Sequence, residues 1–491
     1  MSLLFREKLH QFGGGRPLVL VAVGGQNAGM SANRLELGVV SHSVAGRYGL
    51  VRLGAGALLG AVVASIVTVA GCRGDDLFFD CEDQEAAFRE VAESEGQLLD
   101  PIPNGEPYPV ALKFSELGIN RLLEGVVGAD VPFTGELPFV WFSGPGTLHF
   151  TQTSDPVIEL EALEGCPTCV QYTFDFNVVF YGADGEPDGA GIGNVSFRIP
   201  IELEPDGDSA TLLIADYSRL RVQKLWMSAF GLDSEEHEAL VDAVGLFMQD
   251  KIQENYDPVE LLRLDSWQIG NGDVRLLARK LYVFPEEDTL ALGMQSNLPL
   301  PPGGGLEITG EMPMGVPMVV DFDISMFEAM VEHLLDTDEI ARVYDEDGNA
   351  DPDGNYGVTI DSIQGAPNGQ EFMTTVFKVW RFAEGYCGYA VAQMDLNVEA
   401  TEAGITLEAG EVVVIDGMGS GAVAADEQQL VDDNQQVVEQ FKTGVSDNLA
   451  TTINYDALNI EGSAIVFETL AADVDIDHLE TWIDFVVVES P

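Results

Sequence analysis

Basic residues are scarce in this sequence, 23 Lys and Arg against 82 Asp and Glu, and the formal charge is −59. A surface so acidic repels phosphate backbones and anionic membrane faces, which excludes nucleic-acid binding and membrane adhesion by charge. Histidine is also rare, and beyond residue 72 only His149, His237, His333 and His478 occur. His237-Glu238 lacks the second His of a zinc-protease helix, and Gly417-Met-Gly-Ser-Gly421 is out of register for a nucleophile elbow. A phosphate-binding loop is missing too, and the many carboxylates single out no catalytic pair. The chain therefore reads as non-catalytic, with no required cofactor. What it does have is apolar: 46% of its residues are hydrophobic, enough for a folded core rather than a disordered acidic chain.

The longest apolar run lies between Arg47 and Arg52 on one side and Cys72 on the other. Leu53 to Gly71 carries no charge, ends Val69-Ala70-Gly71-Cys72, and is followed at once by Arg73, Asp75 and Asp76. A positive flank, a short apolar stretch and small residues at a cut site form an export signal, because the apolar run partitions into the membrane while the arginines stay inside. Val-Ala-Gly-Cys resembles the lipobox of bacterial lipoproteins, with Val69 where Leu is usual. The resemblance implies lipidation of Cys72 and anchoring to the bacterial outer membrane, with the protein facing the periplasm or the surface. A plain transmembrane helix is the simpler alternative, since the run is about long enough to span a bilayer. Residues 1–46 fit no signal and read as an extension ahead of a true start, at Met30 or a later codon. Residues 1–71 are accordingly set apart as a signal peptide with this extension.

Four cysteines follow Cys72: Cys81, Cys166, Cys169 and Cys387. An even number outside the cytoplasm suggests disulfides, and three pairings are open. Cys166–Cys169 closing a local turn is favoured, with Cys81–Cys387 as the second bond. Redox chemistry at Cys166-Pro-Thr-Cys169 would need a helix N-terminus beside the first cysteine, whereas both flanks read as strands.

The chain also repeats itself. Ala111–Val127 aligns with Val319–Leu335 at an offset of 208: Phe114 meets Phe322, and the helix-cap candidates Ser115 and Asp323 coincide. Ile119, Leu122, Leu123, Val126 and Val127 meet Phe327, Met330, Val331, Leu334 and Leu335. Both segments read as a short strand, a cap and an amphipathic helix. A second pair of helices is expected over Ser234–Gln253 and Glu427–Ala450, each followed by Asn-Tyr-Asp, at 255–257 and 454–456. Strand-like runs separate the helices, and Leu298-Pro-Leu-Pro-Pro-Gly-Gly-Gly305 is the natural joint between halves. Residues 72–104 are expected to form an anchor-proximal linker, 105–300 a first module and 301–491 a second.

This element order resembles the tubular lipid-binding superfamily, typified by bactericidal/permeability-increasing protein and its relatives. The resemblance implies an α+β fold of two tandem modules, each a long helix wrapped by a curved antiparallel sheet. It implies lipid or another apolar ligand in apolar grooves beneath the helices. The basic patches of the antibacterial members are missing, so endotoxin neutralisation does not carry over. Candidate lining residues are Leu122, Val126, Val244, Phe247 and Met248 in the first module. In the second they are Phe327, Val331, Leu334, Phe441 and Val445. Ordinary core packing is the plain reading of each.

One loop has metal-ligand spacing. Asp345, Asp347, Asn349, Asp351 and Asp353 alternate with other residues in an Asp- and Gly-rich stretch. Hard oxygens at that spacing, with glycine for the turn, suit Ca²⁺, and the stretch resembles Asp-rich calcium loops. The EF-hand pattern fails, because the twelfth position counted from Asn349 is Ile360. A solvated acidic loop is the plain alternative. The sequence thus supports a membrane-anchored, lipid-binding lipoprotein. The rival is a structural or adhesive surface lipoprotein with filled cores and a calcium-binding loop.

Overall fold

The computed structural model describes residues 81–491 apart from 93–95, 97, 128–132, 142–143, 162–164, 208, 229–231, 256–257, 270–272, 367–371, 384–385, 402–403, 420–434, 451–457, 460–462 and 490–491. Cys72, residues 427–434, Tyr256, Asp257 and the whole of the second Asn-Tyr-Asp at 454–456 lie outside the described residues.

Helix α1 (Cys81–Ala92) comes first, then β1 (Val110–Ser115), α2 (Glu116–Val127), β2 (Thr134–Trp141), β3 (Gly144–Gln152), β4 (Val157–Glu159), β5 (Cys169–Gly182) and β6 (Pro187–Asp206). The first half continues with β7 (Ala210–Ala215), β8 (Arg221–Met227), α3 (Ser234–Asn255), β9 (Val259–Asp265), β10 (Trp267–Ile269), β11 (Val274–Phe284) and β12 (Thr289–Ser296). After the Pro/Gly joint come β13 (Met318–Asp323), α4 (Ile324–Asp336), β14 (Val343–Tyr344), β15 (Tyr356–Gly365), β16 (Phe372–Ala383), β17 (Tyr386–Thr401) and β18 (Gly404–Gly419). The chain closes with α5 (Gln435–Ala450), β19 (Leu458–Asn459), β20 (Ser463–Val474) and β21 (His478–Glu489).

The strands form three antiparallel sheets. A central one has the order β10-β11-β12-β1-β13-β21-β20, so its strands come from both sides of the joint. A nine-stranded sheet carries first-half strands plus β19, and a five-stranded sheet runs β14 to β18 in sequence order. In β5 the side chains of Phe174, Phe176 and Val178 are buried while Asp175 and Asn177 are exposed, the period-two pattern of a strand with one solvated face. The central strands differ: β12 and β13 are buried along their whole length. Both faces are covered there, which explains why Val-Val-Asp-Phe and Leu-Ala-Leu-Gly read as near-continuous apolar runs. Gly293 of β12 lets a neighbour come close, since a Cβ there would lie 2.9 Å from Ile308 and 3.0 Å from Tyr108.

β1 and β13 are neighbours at the middle of the central sheet, and their register is two-fold symmetric about the pair Leu112–Val320. Those two residues are 208 apart in sequence. The expected strand–cap–helix units are present on both sides. Ser115 Oγ accepts from the Gly118 amide at 3.3 Å, and Asp323 Oδ1 accepts from the Ser325 amide at 2.8 Å. These bonds satisfy N–H groups that a helix start leaves without partners. The joint is tied to the second cap, because Asp323 Oδ2 also accepts from the Gly305 amide at 2.8 Å.

The expected fold class is overturned. Among the described residues 54% are strand and 22% helix, in three curled sheets with short helices rather than long helices wrapped by sheets. The helices themselves give the reason. On α3, Leu240, Val244, Met248 and Ile252 form one buried stripe at four-residue spacing, while Leu246 on the opposite side is 62% exposed. A helix with one apolar stripe lies on a sheet; a wrapped helix would need an apolar surface all round. α3 accordingly rests against β8, and α5, whose buried stripe is Val437, Val438, Phe441, Val445 and Leu449, rests against β18.

α1 docks on the five-stranded sheet. The Phe88 ring sits 5.0 Å from that of Phe382 and 6.0 Å from that of Trp380, and Arg89 donates to the carbonyls of Pro352 and Gly354 at 3.0 and 2.8 Å. Gly357 provides the space, since a Cβ there would stand 2.1 Å from the Phe88 ring. The Cys81–Cys387 disulfide fastens this contact, with Cα atoms 5.5 Å apart. Cys166–Cys169 is also bonded, closing the turn that enters β5, and no helix begins there.

Candidate apolar ligand site

A small void of about 10 Å³ lies where α2 meets the first-half strands, and its lining is wholly apolar. α2 contributes Ile119 and Leu122, and β4 contributes Ile158. Phe114 of β1 and Leu290 of β12 come from the central sheet, while Val170, Ile201, Leu213 and Leu261 come from the nine-stranded one. The void therefore sits at the junction of two sheets, under one helix. Its size is at the lower limit for one water, about 10–15 Å³ in this measure, and no polar partner faces it, so it stays dry.

Two polar side chains on α2 hold the helix against β4. Asn120 donates from Nδ2 to the Ile158 carbonyl at 2.8 Å and accepts from the Ile158 amide at 2.7 Å. One side chain thus occupies both groups of one peptide edge, as a neighbouring strand would. A turn earlier, Glu116 Oε2 accepts from the Leu160 amide at 3.2 Å. Burial raises the Glu116 carboxyl above its ordinary range; the Leu160 amide pulls it back, and Asp288, Glu159 and Glu161 add to the rise. On its other side α2 is fixed by Arg121, which donates to Asp484 and to the Phe485 carbonyl.

The candidate lining residues are placed as follows. Leu122 borders the void. Val244 and Met248 are buried on the inner stripe of α3, and Phe247 packs half-buried with its ring 5.7 Å from Phe150. Val126 lies on α2, its side chain outside the described residues. In the second half Phe327, Val331, Leu334, Phe441 and Val445 are all buried, with the Phe441 ring 4.8 Å from Phe377. Asn120, Glu116 and Ile158 were not anticipated. The one available signal was a lone Asn among apolar neighbours in a helix.

The acidic loop folds on itself. The carboxylate of Asp345 accepts from the amides of Asp347 and Asn349 at 2.9 and 2.8 Å and from Asn349 Nδ2, while Asp351 accepts from the Asp353 amide at 3.0 Å. These bonds, the Asn349 side chain first, hold the Asp345 carboxyl below its usual range. Among the described residues, three or more His, Cys, Asp or Glu side chains are nowhere grouped to hold a metal. His237 is engaged structurally, its Nε2 lying 2.9 Å from the Met227 carbonyl. A larger cleft, about 580 Å³, opens to solvent at the β3 and β5 ends beside His149 and Tyr181, but its lining is mixed and shallow. No described helix is long and apolar enough to cross a membrane.

No protein-family model matches the sequence, and no curated protein matches it. Among solved structures the chain is similar to lipopolysaccharide binding protein, at 10% identity and TM-score 0.35, over 77% of this chain and 99% of that one. It is also similar to P47 of Clostridium botulinum E1, at 9% identity and TM-score 0.43, over 77% of this chain and 99% of that one. P47 of Clostridium botulinum A2 is a further likeness, at 8% identity and TM-score 0.39, over 76% and 97%. Overlaps this low assign neither a ligand nor an activity to the chain.

Proposed function

We propose that this chain is an exported, lipid-anchored, non-catalytic protein that takes the acyl part of a lipid, or another apolar ligand, between α2 and the sheets beneath it. The observation that carries the reading is the dry void bordered by Phe114, Ile119, Leu122, Ile158 and Leu290. Branched and aromatic side chains there offer carbon contacts on all sides and no water to displace. The void is smaller than an acyl chain needs, so ligand entry requires α2 to move. α2, a single helix of 12 residues along the border of the void, is the element that would move. Export and attachment through Cys72 rest on the lipobox-like Val69-Ala70-Gly71-Cys72. A Ca²⁺ ion at Asp345–Asp353 would act on loop stability rather than on the ligand.

Native mass spectrometry of the full chain after mild extraction tests this reading. The wild type is expected to carry an acyl lipid, and Leu122→Trp, which fills the void, is expected to lose it. Lipid-free wild type would sink the proposal. The second reading, a structural surface protein with filled interiors, is favoured by the second half, where the Phe327, Val331, Phe441 and Val445 side chains are fully buried. Lipid-free wild type with an acylated N-terminal Cys72 peptide supports that reading instead.

A further inference from the structure

One border of the void is the seam between α2 and β4. β4 has only three residues and pairs with β5 along one edge. Its other edge meets Asn120, which bonds both the amide and the carbonyl of Ile158. Asn120 Nδ2 also reaches back to the Glu116 carbonyl at 2.9 Å, so the side chain is held in place by its own helix. Ile158, the residue pinned, is also the β4 residue that borders the void; Ile119, next to Asn120, borders it from α2. Parting this seam therefore exposes the void and breaks two hydrogen bonds at one side chain.

The charges along the seam are mostly acidic. Glu116 is pinned to the Leu160 amide, Glu159 accepts from Gln171 and Thr173, and Asp288 accepts through its carbonyl from the Glu116 amide. Glu161 is paired with Lys224 at 3.2 Å. The one α2 cation, Arg121, points to β21 and Asp484 instead.

Resting on the function proposed above, the geometry points to the α2–β4 seam as the ligand entrance, with Asn120 as its latch and an acyl lipid bearing an uncharged headgroup as the ligand. An anionic headgroup at the mouth would face Glu116 and Glu159 without a free cation to meet it, and like charges brought together in a partly dry site are costly. An apolar chain with a glycerol or alcohol head meets no such barrier.

Stopped-flow fluorescence on the full chain tests this, with a pyrene-labelled monoacylglycerol and the pyrene-labelled fatty acid of equal chain length as probes. Asn120→Ala is expected to speed monoacylglycerol association by about tenfold, the factor that one net hydrogen bond supplies. Asn120→Asp keeps the acceptor for the Ile158 amide but sets a carboxylate oxygen against the Ile158 and Glu116 carbonyls, so association at least as fast as in the alanine variant is expected, and wild-type-like circular dichroism in both variants separates opening of the seam from unfolding. The fatty acid is expected to bind more slowly than the monoacylglycerol, with the gap narrowing at high salt. Wild type that binds neither probe overturns the lipid-binding function itself. Binding with equal rates in wild type and both variants leaves that function standing and overturns the seam. Equal rates for the two probes overturn the headgroup preference.

Discussion

Lys113 and Asp321, which stand at the same position of the two repeated segments 208 residues apart, meet in a buried ion pair at 3.2 Å. Lys113 lies on β1 and Asp321 on β13, diagonal to each other across the centre of the shared sheet. Glu480 on β21 adds a second carboxylate, 3.9 Å from the Lys113 ammonium. The pair therefore joins the halves inside the central sheet, where β1 and β13 are neighbours.

Lys113→Met is expected to destabilise the protein by about 3–5 kcal/mol, because it strands Asp321 as a buried charge without its counter-ion. Lys113→Met/Asp321→Leu is expected to recover most of that loss, since an apolar pair of similar volume carries no desolvation cost. Urea unfolding of the two variants checks this, and equal losses in both would refute it.

Stability should fall at the alkaline side of neutrality through His478. Burial pushes its imidazole down, but Asp477, Asp321 and Glu480 outweigh burial and raise it above its ordinary 6.5. The folded state then binds the proton more tightly than the unfolded chain. The associated stability is full below pH 6.5 and is lost as pH rises through the folded value. Tm measured from pH 5.5 to 8.5 should drop less steeply in His478→Gln than in wild type.

Removing the Cys81–Cys387 bond should cost about 2–5 kcal/mol, because it fastens two segments separated by most of the chain. α1 keeps Phe88 against Phe382 and Trp380, so the five-stranded sheet itself should survive. Cys81→Ser/Cys387→Ser is expected to show a lower Tm and faster amide exchange confined to residues 81–92 and their contacts.

The 345–353 loop should hold its shape without metal. Asp345 already closes the turn through the Asp347 and Asn349 amides. Asp345→Ala is expected to raise hydrogen exchange at those two amides whether Ca²⁺ or a chelator is present. Rescue of their protection by Ca²⁺ in the wild type alone would instead show the ion to be part of the loop.

In the second-half core Phe441 packs on Phe377 with no exposed surface. Phe441→Ala should cost about 3–5 kcal/mol, the range for removing a buried ring that neighbours cannot replace. Chemical denaturation checks the magnitude.

The sequence by itself determined the local units. The repeat at Phe114-Ser115 and Phe322-Asp323 marks where a strand ends and a capped helix begins, because caps and apolar spacing are properties of adjacent residues. Two cysteines three apart on strand-like flanks likewise announce a closed turn. Tertiary structure alone decided that β1 and β13 lie side by side, that α3 rests on a sheet rather than inside one, and that Asn120 meets Ile158. Periodicity shows which face of an element is apolar and leaves open what covers it. The partners come from residues far away in the chain, and only their joint packing selects register, helix placement and the small void at Leu122.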